Sequence, residues 1–294
     1  MATETDALGP LPPYDLTNPR DVRSVERMFH LRARKSFSQH WLVDQDALAA
    51  IVSAATLTRT TTVLEVGAGM GVLTAELARR AGRVVAVELE RDVIPVLQEM
   101  TAAYPNAEIV NADLLDVDPA QLFGTTPYTF VANLPYAITA AALRHFLEAA
   151  HPPARLVVLI QKEVADRLVA KPGDMSLLGL SVQFYTTPQL IMKVPAASFM
   201  PPPQVDSAIV ALDFHAPTVP TVVRDRLFQI AKGAFAQRRK QVHNTLPGAL
   251  HLSAEQVHAW LAAVGIAPDR RPQMLSVAEW IRLAETDPRV PTTQ

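Results

Sequence analysis

Four consecutive residues, Asn133-Leu134-Pro135-Tyr136, follow the apolar run 128–132 and have types suited to one kind of chemistry. A side-chain amide oxygen and a backbone carbonyl can each accept an N–H from a planar amine. Such an amine, like the exocyclic amine of adenine, is a weak nucleophile because its lone pair is spread into the ring. Two acceptors draw it toward a pyramidal shape. Proline fixes the backbone angle of the turn that presents the carbonyl. A neighbouring aromatic ring offers a stacking surface for a base taken out of its helix. The tetrapeptide reads equally well as an ordinary turn between a strand and a helix.

Upstream residues bear on that choice. Gly67, Gly69 and Gly71 form a glycine-rich turn after the apolar stretch Val63-Leu64-Glu65-Val66. Such a turn lets backbone approach a ligand closely, and packed turns share the pattern. Glu88 lies 21 positions beyond Gly67, at the end of the next apolar stretch, where a carboxylate can take both hydroxyls of a ribose. Asp113 follows a third short strand and is placed to accept from an adenine amine, or to cap a turn. The G-x-G-x-G spacing lacks the third glycine of the dinucleotide fingerprint. Together with Asp113 and Asn133 it favours S-adenosylmethionine over a nicotinamide dinucleotide.

The elements that must hold these residues alternate along the chain. Strands are expected at 63–66, 83–87, 108–110, 128–132, 156–160, 190–194 and 208–214. Helices are expected at 46–55, 93–100, 137–150 and 162–170, with 177–186 open between helix and strand. That rhythm implies a mainly parallel sheet with helices on both faces and ligands at the strands' carboxyl ends. From 224 onward only helical patterns appear, at 224–246, 254–264 and 277–286. Residues 1–25 read as a mobile tail because of Pro10, Pro12, Pro13 and Pro19. The chain has 294 residues, a formal charge of −2 and no cysteine, so disulfides, thiolate metal sites and cysteine nucleophiles are excluded. No metal is expected. No apolar run approaches the ~20 residues of a membrane span.

At this point the chain resembles the KsgA-type small-subunit ribosomal RNA adenine dimethyltransferases, from about Arg34 to Ala284. The matching motifs are Gln39-His40-Trp41-Leu42, the glycine turn from Glu65 to Gly71, Val87-Glu88-Leu89 and the Asn-Leu-Pro-Tyr tip. Further matches are Gln161-Lys162-Glu163-Val164, Phe199 with Pro201-Pro202-Pro203 and Val205-Asp206-Ser207-Ala208, and Ala234-Phe235-Ala236-Gln237-Arg238-Arg239-Lys240. The resemblance implies an α/β fold, a Rossmann-like class I methyltransferase sheet of about seven mostly parallel strands, with a small C-terminal all-helical domain. The expected domains are 26–217 for methyl transfer and 218–294 for RNA binding. It implies that Gln39, His40, Leu42, Gly67 and Gly69 surround the S-adenosylmethionine cofactor, with Glu88, Leu89, Asp113, Leu114 and Asn133. His40 is read as a cofactor-side positioning residue, with a general base and a structural histidine as alternatives. Asn133 and the Leu134 carbonyl would hold the target amine, Pro135 would shape the turn, and Tyr136 and Phe199 would sandwich the adenine. The chain departs from the family's usual residues at Ser38, Ala137 and Gln204, where glycine, asparagine and lysine are common.

Two basic clusters offer phosphate contacts: Arg32, Arg34 and Lys35, and Arg238, Arg239 and Lys240. The second reads as one helical stretch with Arg224, Arg226 and Lys232, or as a solvated face. The implied substrate is small-subunit rRNA in an immature subunit, dimethylated at two adjacent adenines near its 3′ end by a cytoplasmic monomer. Two alternatives share the fold: an Erm-type large-subunit RNA adenine methylase, and a non-catalytic assembly or transcription factor.

Overall fold

The computed structural model describes residues 10–31, 40–237 and 239–290. It divides into two compact units, Met1–Ala165 with Pro188–Phe214, and Asp166–Thr187 with His215–Gln294. In chain order the first unit holds α1 (Pro19–Met28), β1 (Trp41–Leu42), α2 (Gln45–Ala54), β2 (Thr62–Val66), α3 (Val72–Ala78), β3 (Arg83–Glu88) and α4 (Ile94–Thr101). Then come β4 (Ala107–Asn111), α5 (Pro119–Phe123), β5 (Tyr128–Asn133), α6 (Thr139–Leu147), β6 (Arg155–Gln161) and α7 (Lys162–Leu168), which runs into the second unit. α8 (Leu177–Tyr185) precedes β7 (Thr186–Val194), and β8 (Phe199–Met200) and β9 (Ser207–Phe214) return to the first unit.

The main sheet has seven strands in the order β4-β3-β2-β5-β6-β9-β7. β2 pairs in parallel with both β3 and β5, and β9 runs antiparallel to β6. The strand order therefore reverses on either side of β2, which opens a crevice at the carboxyl ends of β2 and β5. Register lines those ends up, since Val66 faces both Val87 and Ala132. Side chains alternate between the two faces. Val63, Val131, Val157 and Ile209 pack with α2 and α3 residues such as Ile51 and Leu77. Phe130, one residue from Val131, meets Phe146 of α6 at 4.6 Å between ring centroids.

The N-terminal region departs from the expected tail. Pro19 occupies the start of α1 and Asn18 caps it by accepting from the Arg20 N–H. Proline there begins a helix rather than preventing one, because the first N–H of a helix has no partner to lose. Leu16, Val22 and Val25 are buried, and pack with Met70, Val96 and Met100. Burying each such side chain is worth about 2 kcal/mol. β1 and β8 form a separate two-stranded sheet, with Leu42 opposite Phe199. Neither was visible as a strand in the sequence, because two residues carry no alternation.

The second unit continues with α9 (Thr221–Phe235), α10 (Val242–Leu250), α11 (Ala254–Ala263) and α12 (Val277–Glu285). The expected single helix over 224–246 is two helices. The Val242 and His243 N–H groups donate to the Arg270 and Pro268 carbonyls, so the chain leaves helical geometry before α10. Arg239 and Lys240 consequently lie in the turn after α9, not on one helical face with Arg224, Arg226 and Lys232. Residues 166–187, including α8, also belong to this unit. α12 opens with a capping box of Ser276 and Glu279. Burial opposes ionisation of Glu279. Hydrogen bonds from the Arg270 guanidinium and from Ser276 outweigh it and hold the carboxyl down at about 2.

Glu279 thus contributes stability above the ordinary carboxylate range, and loses it as pH falls from about 4.5 toward 2. Glu279→Gln should destabilise the protein by about 1–3 kcal/mol at pH 7, with a shallower acid limb in chemical denaturation. Equal losses at pH 7 and pH 2 would contradict this.

Candidate functional site

The carboxyl ends of β2, β3 and β5 meet in a cavity of about 360 Å³ within the first unit. That volume lies in the range of small-molecule sites. The cavity brings together His40, Leu42, Gly67, Gly69, Glu88 and Leu89 with Asp113 and Leu114. Asn133, Leu134, Pro135, Tyr136 and Phe199 line it too. Gln39, Arg32, Arg34, Lys35 and Arg238 lie outside the described residues.

The glycine turn is held by β3. The Gly67 and Ala68 N–H groups donate to the Val87 carbonyl at 2.9 and 3.2 Å. Glu88 accepts from the Gly69 N–H at 2.7 Å through Oε2 and from the Glu90 N–H at 2.8 Å through Oε1. Each carboxylate oxygen has two lone pairs, so this anchored carboxylate keeps capacity for ligand hydroxyls. Gly69 has φ +54°, and a Cβ there would stand 2.9 Å from the Trp41 ring. Only glycine meets both conditions. Asn111 Nδ2 donates to the Glu88 and Leu89 carbonyls, which fixes the turn beyond β3. Asp113 caps the short helical turn after β4 by accepting from the Leu115 N–H at 2.9 Å. Among the described residues its other carboxylate oxygen accepts no hydrogen bond.

At the β5 tip, the Leu134 N–H donates to the Leu159 carbonyl at 3.1 Å, anchoring the turn to β6. The Asn133 side chain has no hydrogen-bond partner among the described residues and is part-exposed at the cavity. Tyr136 OH pairs with Ser207 Oγ at 2.9 Å. Burial pushes the phenol up, with the Ser207 hydrogen bond opposing, so the ring stays neutral. Phe199 is buried on β8 and lines the cavity, but the ring stacked on Tyr136 is that of His40, at 6.2 Å and 27°. His40 Nδ1 lies 2.7 Å from the Pro201 carbonyl. A carbonyl only accepts, so Nδ1 is the donor in this contact.

The cavity also contains residues given no role from the sequence: Leu16, Trp41, Glu65, Met70 and Glu90. Trp41 Nε1 donates to Glu26 of α1 at 3.1 Å, so the N-terminal helix supports the cavity wall. Glu65 had one visible signal, an acid inside an otherwise apolar strand.

A crevice where strand order reverses, with a glycine turn, a strand-end carboxylate and an Asn-Leu-Pro-Tyr tip around it, is the arrangement of a class I methyltransferase. The chain belongs to the family described as ribosomal RNA adenine dimethylase, whose profile matches residues 30–286. It is 48% identical over 254 residues to the ribosomal RNA small subunit methyltransferase A of Dehalococcoides mccartyi strain 195, spanning 86% of this chain and 87% of that one. The crystal structure of the 23S rRNA methyltransferase ErmE is similar, with a TM-score of 0.68 and 30% identity, over 83% of this chain and 98% of that one. A dimethyladenosine transferase from Plasmodium falciparum shares the fold at a TM-score of 0.70 and 22% identity, over 84% and 96% of the two chains.

The glycine turn yields a direct test. Gly69→Ala should weaken methyl-donor binding at least ~10-fold, because the added Cβ must displace Trp41 or the turn and the φ is unfavourable to alanine. Calorimetric titration measures it, and wild-type affinity in the variant would show that the turn does not shape the site.

Proposed function

We propose that this protein transfers methyl groups from S-adenosylmethionine to N6 of two adjacent adenines near the 3′ end of small-subunit (16S) rRNA, giving dimethyladenosine during subunit assembly. The observation that carries the reading is the unpartnered Asn133 side chain at a cavity that also contains the anchored Glu88. The donor supplies an electrophilic methyl carbon on a sulfonium sulfur. The residues fit such a nucleoside. Glu88 takes ribose hydroxyls with the lone pairs its backbone donors leave free. Asp113 accepts from the donor's adenine amine. The backbone of Gly67 and Gly69 admits the ligand closely.

Asn133 Oδ1 and the Leu134 carbonyl accept the two N–H bonds of the target amine and aim its lone pair. Pro135 fixes the carbonyl's direction, and Tyr136 and Phe199 hold the base. Positioning of this kind supplies roughly 7–11 kcal/mol of barrier reduction. No strong general base is required, because the methylated amine is acidic and releases its proton to water. His40, with Nδ1 tied to Pro201, serves on the donor side. RNA contact falls to two basic sequence segments, Arg32, Arg34 and Lys35, and Arg238, Arg239 and Lys240. The substrate is the immature small subunit, and the enzyme acts as a cytoplasmic monomer.

A large-subunit reading has support in the 30% identity to ErmE. The 48% identity to a small-subunit enzyme over most of both chains favours the 16S reading.

Asn133→Ala should lower methyl transfer by at least ~1000-fold while donor affinity changes only a few-fold. The measurement is mass spectrometry of both rRNAs after incubation with labelled donor. Near-normal turnover by the variant would remove the mechanism, and modification of the large-subunit RNA alone would replace the substrate. Neutralising Arg238, Arg239 and Lys240 together should reduce the slope of log affinity against log salt by about 2, since each phosphate contact contributes about 0.7–0.9. An unchanged slope would remove that segment from the RNA surface.

A further inference from the structure

Glu65 is a cavity residue that the proposed mechanism leaves unused. It lies on β2 between its partners Ala86 and Val131, two residues from Val63, and therefore on the sheet face covered by α3. It is 1% exposed, and its Oε2 has no hydrogen-bond partner among the described residues. The cavity's other ionisable groups are His40, Glu88, Glu90, Asp113 and Tyr136, and among the described residues no lysine or arginine lines it. On α3, Glu76 is paired with Arg79 and Arg80. Thr74 is the α3 group that faces Glu65, and a hydroxyl brings no charge.

A carboxylate in such a place is shielded from bulk solvent and has no lysine or arginine lining its cavity among the described residues. Burial pushes its pKa up to about 8, with the Thr74 hydroxyl opposing the shift and the charge of Glu88 adding to it. The neutral acid is therefore the form present near pH 7. A cationic ligand reverses this balance, because an opposite charge nearby favours the ionised form.

We propose that Glu65 is a further donor-site residue, protonated in the empty protein, that releases its proton to solvent when a sulfonium cation enters the cavity and regains one when the neutral thioether product is left. The proposal rests on the reading of the cavity as a sulfonium-donor site. The exchange balances: the acid and the cation become a carboxylate–cation pair and one solvent proton. It gives the cavity a charge-based preference for donor over spent product. Donor affinity should tighten by up to about tenfold per pH unit below the pKa of the empty site and level off above it.

The test is titration calorimetry of the full-length protein at pH 6.5–7 in phosphate, HEPES and Tris buffers, with S-adenosylmethionine and with S-adenosylhomocysteine. The dependence of heat on buffer ionisation enthalpy counts protons. The wild type should release close to one proton with the sulfonium ligand and clearly fewer with the thioether. Glu65→Gln, which keeps the shape of the protonated acid, should release almost none with either, and should bind the donor with a flatter pH dependence. The ligand amine is the same for both proteins, so their difference isolates Glu65. Buffer-independent heat in the wild type, equal release with both ligands, or undiminished release in Glu65→Gln would overturn the proposal. If the variant fails to fold, the wild-type affinities between pH 6 and 9, read from tryptophan fluorescence, decide it. Tightening for the donor beyond that for the thioether supports it, and parallel curves overturn it. Donor binding without proton release leaves the function of the cavity intact, whereas no donor binding at any pH would overturn the cofactor reading as well.

Discussion

The hydrogen bond from the Gly69 N–H to Glu88 Oε2 joins the turn after β2 to the end of β3, and the geometry of the cavity depends on it. The bond is charge-assisted and largely shielded, since Glu88 is only 7% exposed. A second N–H, from Glu90, grips the same carboxylate from the other side. Parallel register makes this possible. With Val66 opposite Val87, the residues that follow them, Gly67 and Glu88, emerge together at the sheet's edge. A slip of one residue would turn Glu88 to the other face and leave the glycine turn without its anchor.

The same cavity sets two electrostatic demands against each other. Its described walls contain Glu65, Glu88, Glu90 and Asp113 and no lysine or arginine, which suits a cation. Such walls repel a phosphate backbone. With a formal charge of −2 for the whole chain, the proposed function assigns attraction to RNA to local basic segments elsewhere. Under the proposed function, this separation lets one protein of nearly balanced charge hold a cationic donor and a polyanionic substrate together.

The site was legible wherever chain order alone positioned a residue. β2, β3, β5 and β6 are mostly apolar, so their ends were visible, and with them Gly67, Glu88 and Asn133. Features that depend on distant segments were not visible. The ring beneath Gly69 comes from Trp41, on a two-residue strand that exists only because Phe199 and Met200 pair with it. Pro19 was read as a breaker because proline stops helices in their interior, yet at the first position it starts α1. The break between α9 and α10 carries no glycine or proline signal. It arises from carbonyls of Pro268 and Arg270, contributed from beyond α11.

The helical unit is assembled from two stretches of chain separated by a return through the sheet. α8, from the earlier stretch, packs on α9 and α12 from the later one. The unit is therefore not an appendage that a single cut could remove. Ending the chain after Phe214 would strip α8 of the helices that cover Leu180, Val182 and Phe184, leaving a greasy segment in the middle of the polypeptide. A chimera that exchanges this unit with a relative needs three junctions, at 165/166, 187/188 and 214/215, and homologous recombination at one point would separate halves of a single core.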